Sequence, residues 1–532
     1  MIRGAETTMK SLGLFLCLAT AVAHGQGMCP PPPAQTAIVA FPAGTIIPGV
    51  GTTDLPITTK SAKARQLAKQ GFALIHCFWF NEAVRSFRDA TKEDPACAAA
   101  WLGLNASLTL PWHRPSEYSA EADYAIRRAV ETCGDATDLE QAVIAAYRLR
   151  SVQVDDRESA FERAMMQVVQ THPDAFEPRL LLSAIRTQLC MNDRYDNNLN
   201  PREELTKVLK LITPILQKDP MNAGALHYRV HALEGSAPDQ AVLAADRLSQ
   251  AAPASGHMVH MPGHIYNRVG MYDKARDSFL NSVHIHEEYA KKIPGATADI
   301  DWNYGHDVDF LIFNLAEMGR IKEGEKWLAR SPGSWEKLAW RAGQWDRLAD
   351  KSKTHFFLGM AALQRNDLKT AGDESRKLEA EAAKNALPKT GRWRITQIRM
   401  QQVEAAELKG LLLSQQGNHD EARKELAKAV AIYELVCYEE PPYYPRPPYE
   451  TEGEVDLAAG KPEDALKAYQ KGLRARPGSG WMLYGIALSQ EKAGHPAEAK
   501  AAYQTFLTAW KGADPDLPQV VHARAYLRDK LS

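Results

Sequence analysis

The stretch GHMVHMPGHIYNRVGMYDKA, residues 256–275, sets His257, His260 and His264 three and four residues apart. On a helix of about 3.6 residues per turn that spacing sends all three imidazoles off one face. Just upstream, ALHYRVHALEG spaces His227 and His231 i, i+4, and NYGHDVDF downstream supplies His306. Eight of the chain's 16 histidines fall between residues 227 and 306, a density that points to a cluster rather than to scatter. Neutral imidazoles on adjacent turns can reach one ion, so the chemistry indicated is metal ligation. His76, in ALIHCFWFNEA, is a seventh candidate. Six or seven imidazoles exceed what one tetrahedral zinc takes, which suits two ions, or one ion and an acid–base histidine. Sulfur-free nitrogen ligation favours copper or zinc. Asp307 and Asp309 flank His306 and Glu234 follows His231, where each can ligate or orient an imidazole. Imidazoles also bind peptide carboxylates without any metal. His284 and His286 read as hydrogen-bonded core residues, the commoner role of a solitary buried histidine.

Other chemistries lack their motifs. There is no GxSxG, no HExxH, no phosphate-cradling glycine loop and no dinucleotide fingerprint. A net charge of −1 with 24% charged residues gives no electrostatic reason to expect nucleic acid or an anionic membrane as partner. Lys10 precedes the apolar run Leu12–Ala23, followed by small residues, which reads as a secretory signal over 1–27 and an exported, periplasmic or secreted protein with no membrane span in the mature chain. Without Cys17, six cysteines remain for a compartment that permits disulfides, and no CxxC occurs; pairing and burial as small apolar residues are both open.

The elements that must position these residues are helices. A Pro/Gly-rich segment, 28–60, reads as an extended lead-in; from about Ser61 the pattern turns helical and stays so. Gly71, Ala83, Phe87, Ala90 and Pro95 recur in type and spacing as Gly263, Gly270, Ala275 and Phe279, again through Gly359 and Ala371, Gly410, Gly417, Ala422 and Ala429, then Gly453, Gly460, Ala465, Tyr469 and Pro477, and last Gly494, Ala499 and Tyr503. This grammar resembles the tetratricopeptide repeat, a helix pair whose small residues allow close packing and whose aromatic fills the gap to the next pair. The expected fold is all-α, a tetratricopeptide-type superhelix or α-solenoid, in an N-terminal array over 61–345 carrying the histidines and a C-terminal array over 346–532. Residues 98–225 read as degenerate repeats, and the matched alanines and glycines are expected to be buried. In that register the histidines face the concave groove, where a small molecule or peptide would bind. Pro262 predicts either a kink in the histidine helix or a helix that starts there. YEEPPYYPRPPYE, 438–450, cannot be regular helix; it gathers Tyr443, Tyr444 and Arg446 in a loop that serves either as an aromatic lid on the groove or as a rigid linker.

ALHYRVHALEG, GHMVHMPGH, NYGHDVDFLIF, CYEEPPYYPRPPY and GSGWMLYGIALSQ together resemble a narrower family, exported bacterial tetratricopeptide proteins with an HxxxH segment followed by HxxHMPSH. Gly263 stands where that family has serine. The resemblance implies that His227, His231, His257, His260, His264 and His306 form one constellation, and it implies no reaction. Three functions fit: a metal-dependent enzyme using copper or zinc, a scaffold that grips protein or peptide without metal, and metal storage or buffering.

Overall fold

The computed structural model describes residues 37–529 except 111–114, 152–155, 191–199, 201, 299–302, 389–391, 437–439 and 443. The signal segment, Cys29, Cys437 and Tyr443 therefore lie outside the described residues. Among those described there are 25 α-helices and no strand, and each helix packs chiefly on its neighbours in sequence. The stretch read as degenerate repeats is helical as well, from Ala98–Leu108 to Glu203–Lys218. No described helix is long and apolar enough to cross a membrane.

Small-against-large packing builds the pairs. Phe87, fully buried, is gripped between Gly71 of the preceding helix and Gly103 of the following one; a Cβ at either would lie 2.6 or 2.0 Å from its ring. Tyr469 repeats the arrangement between Gly453 and Gly485, at 2.4 and 2.3 Å. Ala83, Ala275, Ala371, Ala422, Ala465 and Ala499 are all fully buried. The glycines at turn positions differ from expectation. Gly417, Gly460 and Gly494 are exposed, with φ of 82°, 70° and 77°, so they serve the left-handed backbone of the turn and not helix packing. The two roles predict opposite tolerances. Gly453→Leu should destabilise by at least about 1–3 kcal/mol in urea unfolding, because the pair must part around Tyr469, whereas Gly460→Asn should cost under about 1 kcal/mol.

The lead-in is irregular over 37–60 but closely held. Backbone N–H groups of Phe41, Gly44, Ile47 and Thr58 donate to Glu82, Asp89, Gln70 and Glu140 side chains at 2.6–2.8 Å, and Gly49 carbonyl accepts from Ala254 N–H at 3.0 Å. This strap lies against the helices that carry the histidines: Gly51 would meet Ala223 and Gly49 would meet Pro253 if either bore a side chain. At the other side the last repeats clamp the helix Asn303–Glu317. Trp481 and Trp510 donate to the carbonyls of Ala316 and Glu317 at 3.1 and 2.9 Å, and Arg341 and Arg476 pair with the Glu317 carboxylate. Cys77, Cys97 and Cys133 are free thiols, the first two held above the ordinary thiol pKa by burial.

Candidate metal centre

Three helices bring the imidazoles together. Ala223–Leu233, capped by the Asn222 side chain, carries His227 and His231; Gly256–Arg268, capped by Ser255, carries His257, His260 and His264; Asn303–Glu317 carries His306. The middle helix runs continuously through Pro262, so it does not begin there. Pro262 deprives one carbonyl of its helical donor without ending the helix.

The six rings divide into two groups. His227, His231 and His257 each offer a nitrogen within 4.8 Å of the others, and so do His260, His264 and His306. His257 and His260 sit on one helix yet serve different groups. Three residues displace them by about 4.5 Å along the axis and about 60° around it, which turns one toward Ala223–Leu233 and the other toward Asn303–Glu317. The rings are not spread on an open groove: five of the six are at most 7% exposed, and His306 alone is half-buried.

Second contacts set the ring tautomers. Nδ1–H of His227 donates to the His76 carbonyl at 2.6 Å, that of His231 to Glu234 Oε1 at 3.1 Å, and that of His257 to Asn303 Oδ1 at 3.4 Å. In the second group, Nδ1 of His264 donates to Glu234 Oε2 at 2.9 Å, and Asp307 Oδ1 lies 2.7 Å from Nδ1 of His260, close enough to pair with it but out of line for a hydrogen bond. A proton held on Nδ1 leaves the lone pair on Nε2. The Nε2 atoms of His227 and His257 face each other at 2.9 Å, and those of His260 and His264 at 2.6 Å. Two lone pairs so close repel unless a proton or a cation stands between them. Around one tetrahedral ion with bonds of about 2.0–2.1 Å, nitrogens would be about 3.3 Å apart, an opening of about 0.4 Å for the first pair and about 0.7 Å for the second.

The electrostatics follow from burial. Loss of hydration pushes His227 and His257 well below the ordinary histidine value, with help from neighbouring histidines. His260 falls as well despite Asp307, and His306 is brought down to about 3 by desolvation and by His260 and His264. Burial opposes the charge on His264 too, but Glu440 and Glu234 outweigh it and raise that ring to about 9. Asp307 stays below the usual carboxylate range although burial alone would raise it, because His260 and His286 face it. It also accepts from Ser282 at 2.5 Å and from Asn303 at 2.9 Å. His286 reaches it at 3.2 Å and passes so near Gly256 that a Cβ there would lie 2.3 Å from its Nε2.

Several candidates sit elsewhere. His76 belongs to neither group: its two nitrogens bond Tyr228 Oη at 2.8 Å and Glu177 Oε1 at 2.9 Å, so only its carbonyl reaches the cluster. Asp309 turns from the imidazoles to accept from the hydroxyls of Ser331 and Ser334. Tyr444 donates to Glu407, and Arg446 pairs with Glu450 and Glu454, so neither makes an aromatic lid on the histidines. What the 438–450 segment does bring is Glu440, whose carboxylate lies 3.7 Å from His264 Nδ1. Phe78 was also unforeseen. In a left-handed conformation, φ 55°, it stacks on His231 and His257 with centroids 5.7 and 5.5 Å away. Neither is deducible from local spacing, and the one sequence hint for Glu440 is its place in a proline-rich loop.

Beneath that loop, burial raises the Glu407 carboxyl to about 7 and, with Glu407 adding to it, Glu404 to about 8. Both folded-state values lie above the ordinary 4.5, so the folded state binds more protons and stability falls as pH rises from about 4.5 toward 8. Glu404→Gln should flatten that slope and melt higher than the parent at pH 8. An unchanged slope in thermal melts between pH 5 and 8 would count against this.

Tetratricopeptide-repeat family models match residues 403–434 and 451–518. No curated protein matches the chain. Solved structures similar to it include the APC/C hetero-tetramer Cut9–Hcn1, at 17% identity, covering 88% of this chain and 76% of that one with a TM-score of 0.29. The human IFIT1 dimer with m7Gppp-AAAA is similar at 13% identity over 85% of this chain and 91% of that one, TM-score 0.29. The TPR domain of P58(IPK) is similar at 11% identity over 88% and 99%, TM-score 0.20. Tetratricopeptide repeats are present, the fold is an all-α solenoid of that type, the repeats suggest a scaffold for protein binding, and the histidine groups are compatible with a metal site.

Proposed function

We propose that this chain is an exported metalloprotein whose two histidine groups each hold one transition-metal ion, copper or zinc, in service of a metal-dependent reaction. One observation carries the reading: four of the six imidazoles donate from Nδ1 and a fifth, His260, has a carboxylate oxygen 2.7 Å from it, an arrangement that favours Nε2 as the ligand atom in both groups. Buried ions so held would supply Lewis acidity, a bound water of lowered pKa or, for copper, one-electron chemistry. A protein-binding scaffold alone gives no reason to bury six imidazoles, four of them facing nitrogen to nitrogen in contacts that need a proton or a cation between the lone pairs. Export is supported by Lys10 and the apolar run behind it.

The test is metal content. Protein reconstituted with zinc or copper near neutral pH and then desalted should retain about two equivalents by elemental analysis, and a strong chelator should remove them. Less than about 0.1 equivalent of either metal would end the proposal and leave the scaffold.

A further inference from the structure

A cavity of about 300 Å³ is lined by residues of the histidine-bearing helix Asn303–Glu317 and by Glu440. Two features join it to the second histidine group. On Asn303–Glu317, the cavity-lining residues Asp309, Phe313 and Ala316 follow His306 at i+3, i+7 and i+10, so one helix stripe runs from the ring into the cavity. Glu440 lines the cavity and also approaches His264. His306, the half-buried member of the six, lies one turn from the cavity-lining Asp309 on the same helix.

The lining defines what would fit. Ile312, Phe313, Leu338 and three prolines of the 441–445 segment make most of the wall apolar. The charged groups on it are two acids, Asp309 and Glu440, and two bases, Lys337 and Arg341, so they balance. Arg341 is already taken by Glu317 and Glu450 at 2.9 and 2.7 Å, Asp309 by two serine hydroxyls, and Glu440 faces His264. Burial lowers the Lys337 ammonium from its usual value, with Asp309 and Glu404 opposing. A ligand with a net charge would disturb this balance in a place of low polarity, whereas a neutral donor can share a carboxylate oxygen. We propose that this cavity is the substrate pocket of the metal centre and that it takes a small neutral molecule, on the order of ten heavy atoms, with an apolar body and a hydroxyl head. The proposal rests on the metal reading above.

Three probes with the same 4-ethylphenyl body test it: 4-ethylbenzyl alcohol, 4-ethylbenzoate and 4-ethylbenzylamine. In calorimetric titrations of metal-free protein, where carboxylate cannot bind an ion, the alcohol should bind at least about tenfold more tightly than either charged probe. Equal or tighter binding of the acid or the amine overturns the proposal. In cobalt(II)-substituted protein the alcohol should shift the visible absorption, and a spectrum that does not move overturns the pocket while leaving the metal site standing. Cobalt content, measured first, separates the two readings: no uptake removes the metal centre and the pocket's role with it. Gly333 lines the cavity with nothing within 4 Å of its Cβ position, so a side chain can begin there without a clash, and Gly333→Trp puts a bulky ring at the cavity wall. That variant should keep its cobalt and lose alcohol affinity by about tenfold or more. Ile312→Phe narrows the same space from the helix side. Parent-like affinity in whichever of the two remains folded overturns the assignment.

Discussion

Replacing His260 and His264 together by alanine is expected to halve the metal content, from about two equivalents to about one, and replacing His227 and His231 together should do the same. All four replacements should leave none. The expectation follows from the division of the six rings into two groups of three, each with its own facing Nε2 pair. Each double variant removes two of three nitrogens from one group and none from the other, so one site fails while its neighbour keeps its ligands. The loss does not come from unfolding alone, and far-ultraviolet circular dichroism at 25 °C should stay helical. Melting should nevertheless come earlier, because Glu234 and Asp307 lose partners in a buried setting, at a cost of about 1–3 kcal/mol each. If either double variant loses all metal, the six histidines share one ion; if either loses none, the imidazoles are not the ligands.

The repeat architecture was legible because its signal is local. A glycine one turn from an alanine, and an aromatic a fixed distance on, fix which helix faces meet, and Phe87 and Tyr469 lie between glycines as that grammar requires. The i, i+4 pairs at His227 and His231 and at His260 and His264 likewise announce rings on one face. Their division into two groups was not legible. It depends on how neighbouring helices are set around Gly256–Arg268, and sequence spacing treats His257 and His260 as members of one cluster. Burial was missed for a similar reason. The tetratricopeptide register places these positions on a groove, but it says nothing of the 37–60 strap or of Glu440, which arrive from distant parts of the chain. Asp309 and His76 show the limit from the other side: each has the right type near the right place, and each is claimed by another partner.

Glu234 is the residue through which the two groups meet, and its replacement should affect both ions. Its Oε1 accepts from His231 of one group and its Oε2 from His264 of the other. It sits just past the end of Ala223–Leu233, fully buried. Both carboxylate oxygens are acceptors, so both histidines hold a proton on Nδ1 and direct Nε2 at the ion, which at His264 must displace the second proton that this ring keeps up to about 9. A glutamine has the same shape but one oxygen and one amide nitrogen. Whichever histidine faces the nitrogen must accept there, which moves its proton to Nε2 and blocks the ligand lone pair. Glu234→Gln should therefore weaken one ion by about 10–100-fold and spare the other, whereas Glu234→Ala should weaken both, by leaving both rings unsupported. Asp307→Asn supplies the contrast, since Asp307 faces His260 and His286 directly and reaches the first group only through Asn303, which donates to it and accepts from His257. Its effect should be larger at the second site than at the first. Competition against a chelator of known affinity reads the two binding steps separately. Parent-like affinity at both steps in Glu234→Ala would show that the carboxylate orients nothing, and equal losses at both steps in Asp307→Asn would show that the two groups bind as one unit.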